Sequence, residues 1–208
     1  MIIDRAGLVG QDGETHQGVF DMSFMSAMPN MTIIAPKDTK ELVESLKFAV
    51  KHNGPIAIRF PRGNAYVMEQ QDDVVISYGK SEIVSQGKDI AVIAVGNMFE
   101  ETMKAYKLLK KDNIYITLIN ARFIKPLDTV MIEEIAATHK MIVVVEEAIK
   151  KGGYGEAVAS FIMEHGINTS VKIMAIDDQF VEQGMVEDLR KKIGIDYNSI
   201  YTEIRELV

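Results

Sequence analysis

Residues 89–97 read DIAVIAVGN, and this stretch decides the fold class. The run at residues 90–95 is unbrokenly apolar and rich in β-branched side chains, which is typical of a strand buried on both faces of a parallel sheet. The Gly96-Asn97 turn precedes an amphipathic segment at residues 98–109, which predicts a helix packed back onto that strand. A buried strand, a short turn and a helix are the repeating unit of an α/β fold.

The same alternation continues on both sides of this unit. Residues 89–208 contain enough alternating elements for an independent sheet covered by helices. Upstream, the pattern predicts strands at residues 32–35 and 56–59, joined by a helix that Asp38 caps. Downstream, it predicts strands at residues 114–119, 141–145 and 171–176 and helices at residues 128–138, 152–165, 185–193 and 198–207.

The first part of the chain is too small for a complete sheet. Residues 1–66 supply about three strands, the first being the tail at Ile2-Ile3, and so few parallel strands leave an unpaired edge and little core. We therefore expect half of a domain, whose other half lies upstream or on another polypeptide. Residues 67–88 are polar, with alternating pieces at residues 74–77 and 82–85, and are predicted to be a linker that ends in a small hairpin.

Composition excludes several classes of protein. Hydrophobic residues make up 47% and charged residues 25% of the chain, which is typical of a globular protein with a packed core. No apolar run approaches the ~18–20 residues that span a bilayer, and the first residues lack the pattern of a secretory signal. The absence of cysteine excludes disulfides and thiolate zinc sites. With a net charge of −7 and no basic block, we expect a cytoplasmic protein that binds neither membranes nor nucleic acids.

A glycine-punctuated loop after the first predicted strand carries the candidate chemistry. Residues 4–18 read DRAGLVGQDGETHQG, with Arg5, Asp12 and His16 distributed among four glycines. Loops at the carboxyl ends of parallel strands are where open α/β folds bind ligands. Arginine suits bidentate capture of phosphate, and histidine exchanges protons near neutral pH. The spacing matches neither the Walker nor the dinucleotide fingerprint, so the residues alone leave a solvated turn equally open.

Together with later stretches, this loop closely resembles the 1-deoxy-D-xylulose-5-phosphate synthases. The resemblance covers nearly the whole chain. It rests on the loop itself and on FDMSFMSAMPNMTIIAP at residues 20–36, GPIAIRFPRGNA at 54–65, INARFIKPLD at 119–128, VVVEEAIKKGGYG at 143–155 and QFVEQG at 179–184.

The resemblance implies a particular α/β architecture. Residues 1–66 would form the C-terminal half of a transketolase-type pyrimidine-binding domain with a partial parallel sheet. Residues 67–88 would be the linker. Residues 89–208 would form a complete transketolase C-terminal-like α/β domain.

The resemblance also implies a reaction and its cofactors. Members of this family are transketolase-type transferases that use thiamine diphosphate and Mg²⁺. They condense pyruvate with D-glyceraldehyde 3-phosphate to 1-deoxy-D-xylulose 5-phosphate and release CO₂. The product feeds isoprenoid and thiamine biosynthesis, and the enzymes are usually homodimers.

Four residues receive roles from the family motif. Arg5 and Arg62 would hold the phosphate of the aldehyde substrate, and His16 would be the catalytic group at the reacting carbon. Asp12 would bind the substrate or orient His16. From the residues alone, ion pairs for the arginines and an Asx-turn of Asp12 with Gly13 remain alternatives.

Other residues are interpreted as structural. Arg59 lies in the same motif as Arg62 but is expected to support the fold. His52, His139 and His165 are predicted at helix C-termini, where a cation is favourable. The glycines of residues 152–155 are expected to allow close contact between a helix and the sheet, with an anion site at that helix N-terminus as the alternative.

The chain also departs from the family pattern. The glutamate and the aromatic side chain that contact the cofactor pyrimidine, and the diphosphate–magnesium site, lie upstream of the DRAG motif in this family. The resemblance therefore assigns no cofactor-binding or metal-binding residue here. Ala148 stands where an asparagine is frequent, and Gln183 stands where a histidine is frequent.

Three hypotheses about function follow. The chain is a fragment of the synthase that is inactive by itself, a non-catalytic docking or dimerisation module, or the C-terminal subunit of a split transketolase-like enzyme. In the first and third cases the N-terminal part is supplied in cis or in trans.

Overall fold

Two sheets covered by helices organise the chain, and the computed structural model describes residues 1–63, 66–68 and 73–208. The strands are β1 (Ile2–Ile3), β2 (Thr32–Ile34), β3 (Ile56–Arg59), β4 (Glu82–Ser85), β5 (Ile90–Ala94), β6 (Thr117–Asn120), β7 (Phe123–Lys125), β8 (Met141–Ile149) and β9 (Ser170–Ile176). The α-helices are α1 (Asp21–Ser26), α2 (Thr39–Lys51), α3 (Met98–Lys111), α4 (Thr129–Thr138), α5 (Tyr154–Glu164), α6 (Val186–Ile193) and α7 (Tyr197–Leu207). The first sheet has the order β1-β3-β2-β7, and the second has the order β4-β6-β5-β8-β9.

Strand β5 lies at the centre of the second sheet. All five of its residues are buried, and it pairs in parallel with β6 on one side and β8 on the other. The prediction of a doubly buried strand at this position is therefore confirmed. Helix α3 follows directly and buries Met98, Ala105 and Leu109 against the same sheet. Among residues 1–63, 66–68 and 73–208, none of the helices has both the length and the apolar character that a membrane span requires.

The linker differs from its prediction. Residues 73–77 form no strand, and β4 pairs antiparallel with β6 rather than with a neighbouring hairpin strand. The predicted hairpin is therefore wrong in the part of the linker that the structure describes, while residues 69–72 lie outside it. Strand β6 pairs with β5 along one edge, and residues 82–85 occupy its other edge. Residues 74–77 alternate in the same way in sequence but form no strand.

The two halves of the chain share a sheet and a core. Strand β7 comes after β6 but pairs antiparallel with β2, so it extends the first sheet beyond the strands of residues 1–66. Arg122 has a φ of 56°, and this left-handed residue lies between the strands that belong to different sheets. Met22 and Ile33 from the first half pack in one buried cluster with Ile93 and Val144 from the second. Residues 89–208 therefore do not bury their core independently of the first half.

A buried ionic network fixes the linker against both halves. The Glu41 carboxylate accepts hydrogen bonds from Arg122 Nε at 2.5 Å and from Asn120 Nδ2 at 2.9 Å. Lys37 Nζ donates to Glu82 at 2.6 Å, and Arg122 donates to the same carboxylate at 3.2 Å. The Lys37 and Glu41 side chains are 0% exposed. Removing one member of such a buried network leaves an uncompensated charge, which is strongly destabilising.

We predict that Glu41→Ala lowers the free energy of unfolding by about 3–5 kcal/mol, because it removes the buried carboxylate that Arg122 Nε donates to and leaves the guanidinium only its longer bond to Glu82. The matched control is Glu44→Ala on the same helix, where Glu44 pairs with Lys47 at the exposed surface. That control should change stability by less than about 1 kcal/mol. Urea denaturation of both variants measures the difference, and equal losses would contradict a special role for the buried network.

Candidate functional site

The loop at residues 4–18 closes on itself at the end of β1. Gly7 and Gly18 exchange backbone hydrogen bonds of 2.7 and 2.8 Å, and Ala6 N donates to Phe60 O at 3.0 Å. Between these closing bonds the chain forms two short 3-10 turns, at Gly10–Asp12 and Glu14–His16. The loop is thus anchored to β3, and its polar residues are presented on two defined turns.

A buried carboxylate from the second half of the chain holds this loop. Glu147 in β8 accepts hydrogen bonds from Leu8 N at 3.1 Å, Asn97 Nδ2 at 2.6 Å and Arg190 Nε at 2.5 Å. Burial disfavours the charge on Arg190, but the attraction and hydrogen bond of Glu147 outweigh it and raise the pKa of the guanidinium. Glu147 therefore ties the loop to α3 and α6 through charge-assisted bonds.

The lack of a side chain at Gly7 makes this contact possible. A Cβ atom built on Gly7 would lie 2.0 Å from Glu147 Oε2, and the residue has a φ of +80°. Both the backbone conformation and the close approach of the carboxylate therefore require glycine.

A second segment of the C-terminal half holds the turn that carries Asp12. Gly184 N donates to Gly10 O at 3.3 Å, and Gln183 Nε2 donates to Gln11 O at 2.9 Å. Gln17 bridges the two sides, because its amide accepts from Val9 N at 2.7 Å and donates to Glu182 O at 3.2 Å. Gln183, one of the departures from the family pattern, is thus in direct contact with the loop backbone.

Three of the four predicted site residues meet at one carboxylate oxygen. Arg5 NH1 lies 3.2 Å from Asp12 Oδ2, and Arg62 NH1 forms an ion pair with the same oxygen. The Arg62 hydrogen bond is the main reason that the pKa of the Asp12 carboxyl is below its usual value, and both guanidiniums attract its charge. The side chains are 47%, 54% and 24% exposed for Arg5, Arg62 and Asp12, so the cluster faces solvent.

His16 lies in the adjacent turn and is exposed. Its Nδ1 atom is 2.9 Å from the hydroxyl of Thr15, and it contributes to the positive potential felt by Asp12. The charge of His16 thus helps to lower the pKa of Asp12, but the ion pairs that the Asp12 carboxylate forms are with Arg5 and Arg62.

The Asp12–Arg62 pair forms part of the wall of an open cavity of about 690 Å³. Pockets of roughly 300–1,000 Å³ are the usual size for small-molecule sites. The described lining residues of this cavity come from both halves of the chain, because the turn at residues 9–12, the segments at 36–39 and 60–63, and residues 184–187 all contribute.

Two buried carboxylates of this region escaped the sequence analysis as functional candidates. Glu146 and Glu147 are 0% and 1% exposed, and β8 continues through them to Ile149 instead of ending at residue 145. The signal was present, since two consecutive acids interrupt an apolar strand and buried charges require partners. The partners Asn97 and Arg190 carried no sequence signal of their own, because only folding brings them to β8.

The glycines of residues 152–155 allow close packing of α5 on the sheet and leave its first backbone N–H groups open to a carboxyl group. A Cβ atom on Gly155 would lie 2.6 Å from Ile173 of β9, so the glycine allows close contact between helix and sheet, as predicted. The start of α5 also binds the carboxyl group of Glu146, which accepts from Tyr154 N at 2.8 Å and from Gly155 N at 2.9 Å. Burial raises the pKa of Glu146 to about 7, against the stabilising effect of these two donors.

The residues interpreted as structural lie where they were predicted. Arg59 is 2% exposed and makes a two-pronged ion pair with Asp21, with distances of 2.7 and 3.1 Å. His52, His139 and His165 follow the last residues of α2, α4 and α5 as their C-caps.

We predict that Gly7→Ala destabilises the chain more than Gly13→Ala does. Both glycines have φ near +80°, so each substitution strains the backbone by about 1–3 kcal/mol. Only at Gly7 does the new methyl group meet Glu147, whereas the nearest atom at Gly13 is 3.8 Å away. Overpacking should add about 1–3 kcal/mol at Gly7 alone, as measured by urea denaturation. Equal losses of unfolding free energy in the two variants would show that the Glu147 carboxylate does not restrict the space at Gly7.

Comparison with known proteins gives this architecture its family. A family model of the transketolase pyrimidine binding domain matches residues 1–67, and one of the transketolase C-terminal domain matches residues 79–200. The 1-deoxy-D-xylulose-5-phosphate synthase of Alkaliphilus oremlandii is 43% identical over 99% of the chain, and that of Clostridium perfringens is 44% identical over 100% of it. The chain spans about a third of the length of these relatives (33% and 34%).

Solved structures agree with the family models. A structure described as a split gene transketolase, inactive beta4 tetramer, superposes with a TM-score of 0.88 at 26% identity, covering 99% of this chain and 65% of that one. Transketolase from Campylobacter jejuni has the same fold, with a TM-score of 0.78 at 19% identity over 99% of this chain and 30% of its own. The chain therefore belongs to the transketolase family, matches the models of its pyrimidine-binding and C-terminal domains, and is similar to the 1-deoxy-D-xylulose-5-phosphate synthases.

Proposed function

We propose that this chain is the C-terminal part of a thiamine-diphosphate-dependent synthase that condenses pyruvate with D-glyceraldehyde 3-phosphate to 1-deoxy-D-xylulose 5-phosphate. The similarity to synthases of that name supports the reaction. Its product would feed isoprenoid and thiamine biosynthesis. The observation that carries the proposal is the convergence of Arg5 and Arg62, from the ends of two strands, on a single anionic oxygen.

The chemistry of the cluster suits a phosphorylated substrate. Two guanidiniums that reach one point from different strand ends can clamp a phosphate dianion with several charge-assisted hydrogen bonds. Once the phosphate is held there, the position of the rest of the aldehyde is restricted, which lowers the entropic barrier to reaction. His16, exposed on the next turn, would exchange protons with the substrate oxygens. Asp12 would orient the substrate or His16.

Thiamine diphosphate would supply the carbanion chemistry at pyruvate. Among residues 1–63, 66–68 and 73–208, no group of three or more His, Asp or Glu side chains could hold a metal ion. We assign none of the described residues to the cofactor. We propose that this site comes from the other two-thirds of the synthase, in the same polypeptide or in a partner, and that the assembled enzyme is a homodimer in the cytoplasm.

A split enzyme is the second candidate. The similarity to a structure described as a split gene transketolase, inactive beta4 tetramer, supports a chain that folds and assembles without being active by itself. A purely non-catalytic docking module is a third arrangement, but it gives no reason for Arg5 and Arg62 to meet at one anion. Co-expression with the N-terminal part of a synthase separates the docking module from the two enzymatic arrangements, because only those two gain activity.

We predict that Arg5→Ala or Arg62→Ala in the assembled enzyme raises the KM for D-glyceraldehyde 3-phosphate about tenfold or more, because a hydrogen bond to a charged group contributes about 1.5–3 kcal/mol. The KM for pyruvate should stay the same. Arg205→Ala is the matched control, since Arg205 is exposed on α7 and contacts Tyr201. Steady-state kinetics with each substrate varied in turn provide the measurement. An unchanged KM for the aldehyde would exclude the phosphate assignment.

We also predict that the chain by itself is inactive and binds thiamine diphosphate weakly or not at all. Isothermal titration calorimetry with thiamine diphosphate and Mg²⁺ tests this directly. The control is the same titration of the chain assembled with the N-terminal part of a synthase, where tight binding is expected. Low-micromolar binding by the isolated chain would contradict the proposal.

A further inference from the structure

The Asp12 carboxylate occupies the position at which the two arginines converge. Arg5 and Arg62 both direct NH1 at Oδ2 of Asp12, and their ion pairs in the described part of the chain are with this residue. An anion of the protein itself therefore sits where the proposed function requires the phosphate of a substrate.

We propose that Asp12 is a tethered counter-ion that competes with the phosphate for Arg5 and Arg62 and thereby selects dianionic ligands. This inference rests on the proposed function. It assigns Asp12 a role opposite to a simple binding contact, since the residue must release the arginines when the ligand arrives.

The backbone around Asp12 is held while its side chain is free to exchange partners. Gly13 N donates to Gly10 O within the turn, and Gly184 and Gln183 bond the carbonyls of Gly10 and Gln11. These contacts fix the main chain, and none of them involves the Asp12 carboxylate. Release of the arginines therefore requires only a rotation of the side chain, with the loop kept in place for the ligand.

The ion pairs between Asp12 and the two arginines are weak enough for a ligand to replace them. Arg5 and Arg62 are about half exposed, and ion pairs at such positions are weak because water screens them. The hydrogen bond from Arg62 keeps the pKa of Asp12 low, so the competitor is ionised at neutral pH. A phosphate monoester carries a charge of about −1.5 to −2 and three acceptor oxygens. It can satisfy both guanidiniums better than one carboxylate oxygen does, whereas an uncharged aldehyde cannot displace that oxygen.

Selectivity follows from this competition. In the presence of Asp12, the binding free energy of a ligand is only the difference between its own attraction to the arginines and that of the carboxylate. A monoanion therefore gains little binding free energy, and a neutral ligand gains none. Without Asp12 the arginines would bind many anions, so the counter-ion lowers affinity in general and preserves the preference for the dianion.

The test is the affinity of the full chain for inorganic phosphate, followed by NMR of the arginine side-chain N–H signals. Asp12→Asn should bind phosphate about threefold to tenfold more tightly than the unmodified chain, because the asparagine is isosteric but uncharged. Glu14→Gln is the matched control: it removes the same charge from the neighbouring turn of the same loop and should change the affinity less than twofold.

The outcomes separate this inference from the proposed function. If Asp12→Asn binds phosphate no more tightly than the unmodified chain, while Arg62→Ala abolishes binding, the phosphate site stands and the counter-ion role is refuted. If Glu14→Gln raises affinity as much as Asp12→Asn does, the effect is general charge and the role is also refuted. If phosphate shifts no arginine signal in any variant, both the phosphate assignment and the counter-ion role fail.

Discussion

The buried Glu147 carboxylate is the interaction on which the site depends. It lies in β8, next to the central strand of the second sheet, and bonds the backbone of the loop at Leu8 together with Asn97 and Arg190. A buried carboxylate without partners would be strongly destabilising, so the elements that carry these donors must meet at β8. The neighbouring Glu146 faces the other side of the strand and bonds the start of α5. Two consecutive acids thus fix a loop and a helix on opposite faces of one strand.

Contacts between buried groups also make the two halves of the chain depend on each other. Strand β7 leaves the C-terminal half to pair with β2, and Lys37 and Glu41 meet Glu82 and Arg122 across the linker. Sheet pairing, apolar core and buried charges all cross the boundary that the family models place between residues 67 and 79. The loop of the pyrimidine-binding domain is therefore held by the C-terminal domain as well as by its own sheet.

Solvent exposure distinguishes the ion pair that supports the fold from the ion pairs at the proposed phosphate site. Glu147 is 1% exposed, and its ion pair with Arg190 is a permanent part of the fold. The ion pairs of Asp12 lie at the surface, where the energy of each is small and a ligand can compete for it. The buried pair holds the loop in its conformation. The exposed pairs can be replaced when a ligand takes the place of the Asp12 carboxylate.

The sequence by itself determined the α/β class, the central strand at residues 90–95, the helix cap at Asp38 and the loop at residues 4–18, whose motif is typical of the family. These features are local, because apolar periodicity, capping chemistry and glycine positions act over a few residues. Only the tertiary structure decided that β7 joins the first sheet, that residues 74–77 form no hairpin strand, and that Glu147 holds the loop through Asn97 and Arg190. Those outcomes depend on which strand edges and which buried charges meet across 43 to 139 positions of the chain, and the local pattern does not show which partners will meet.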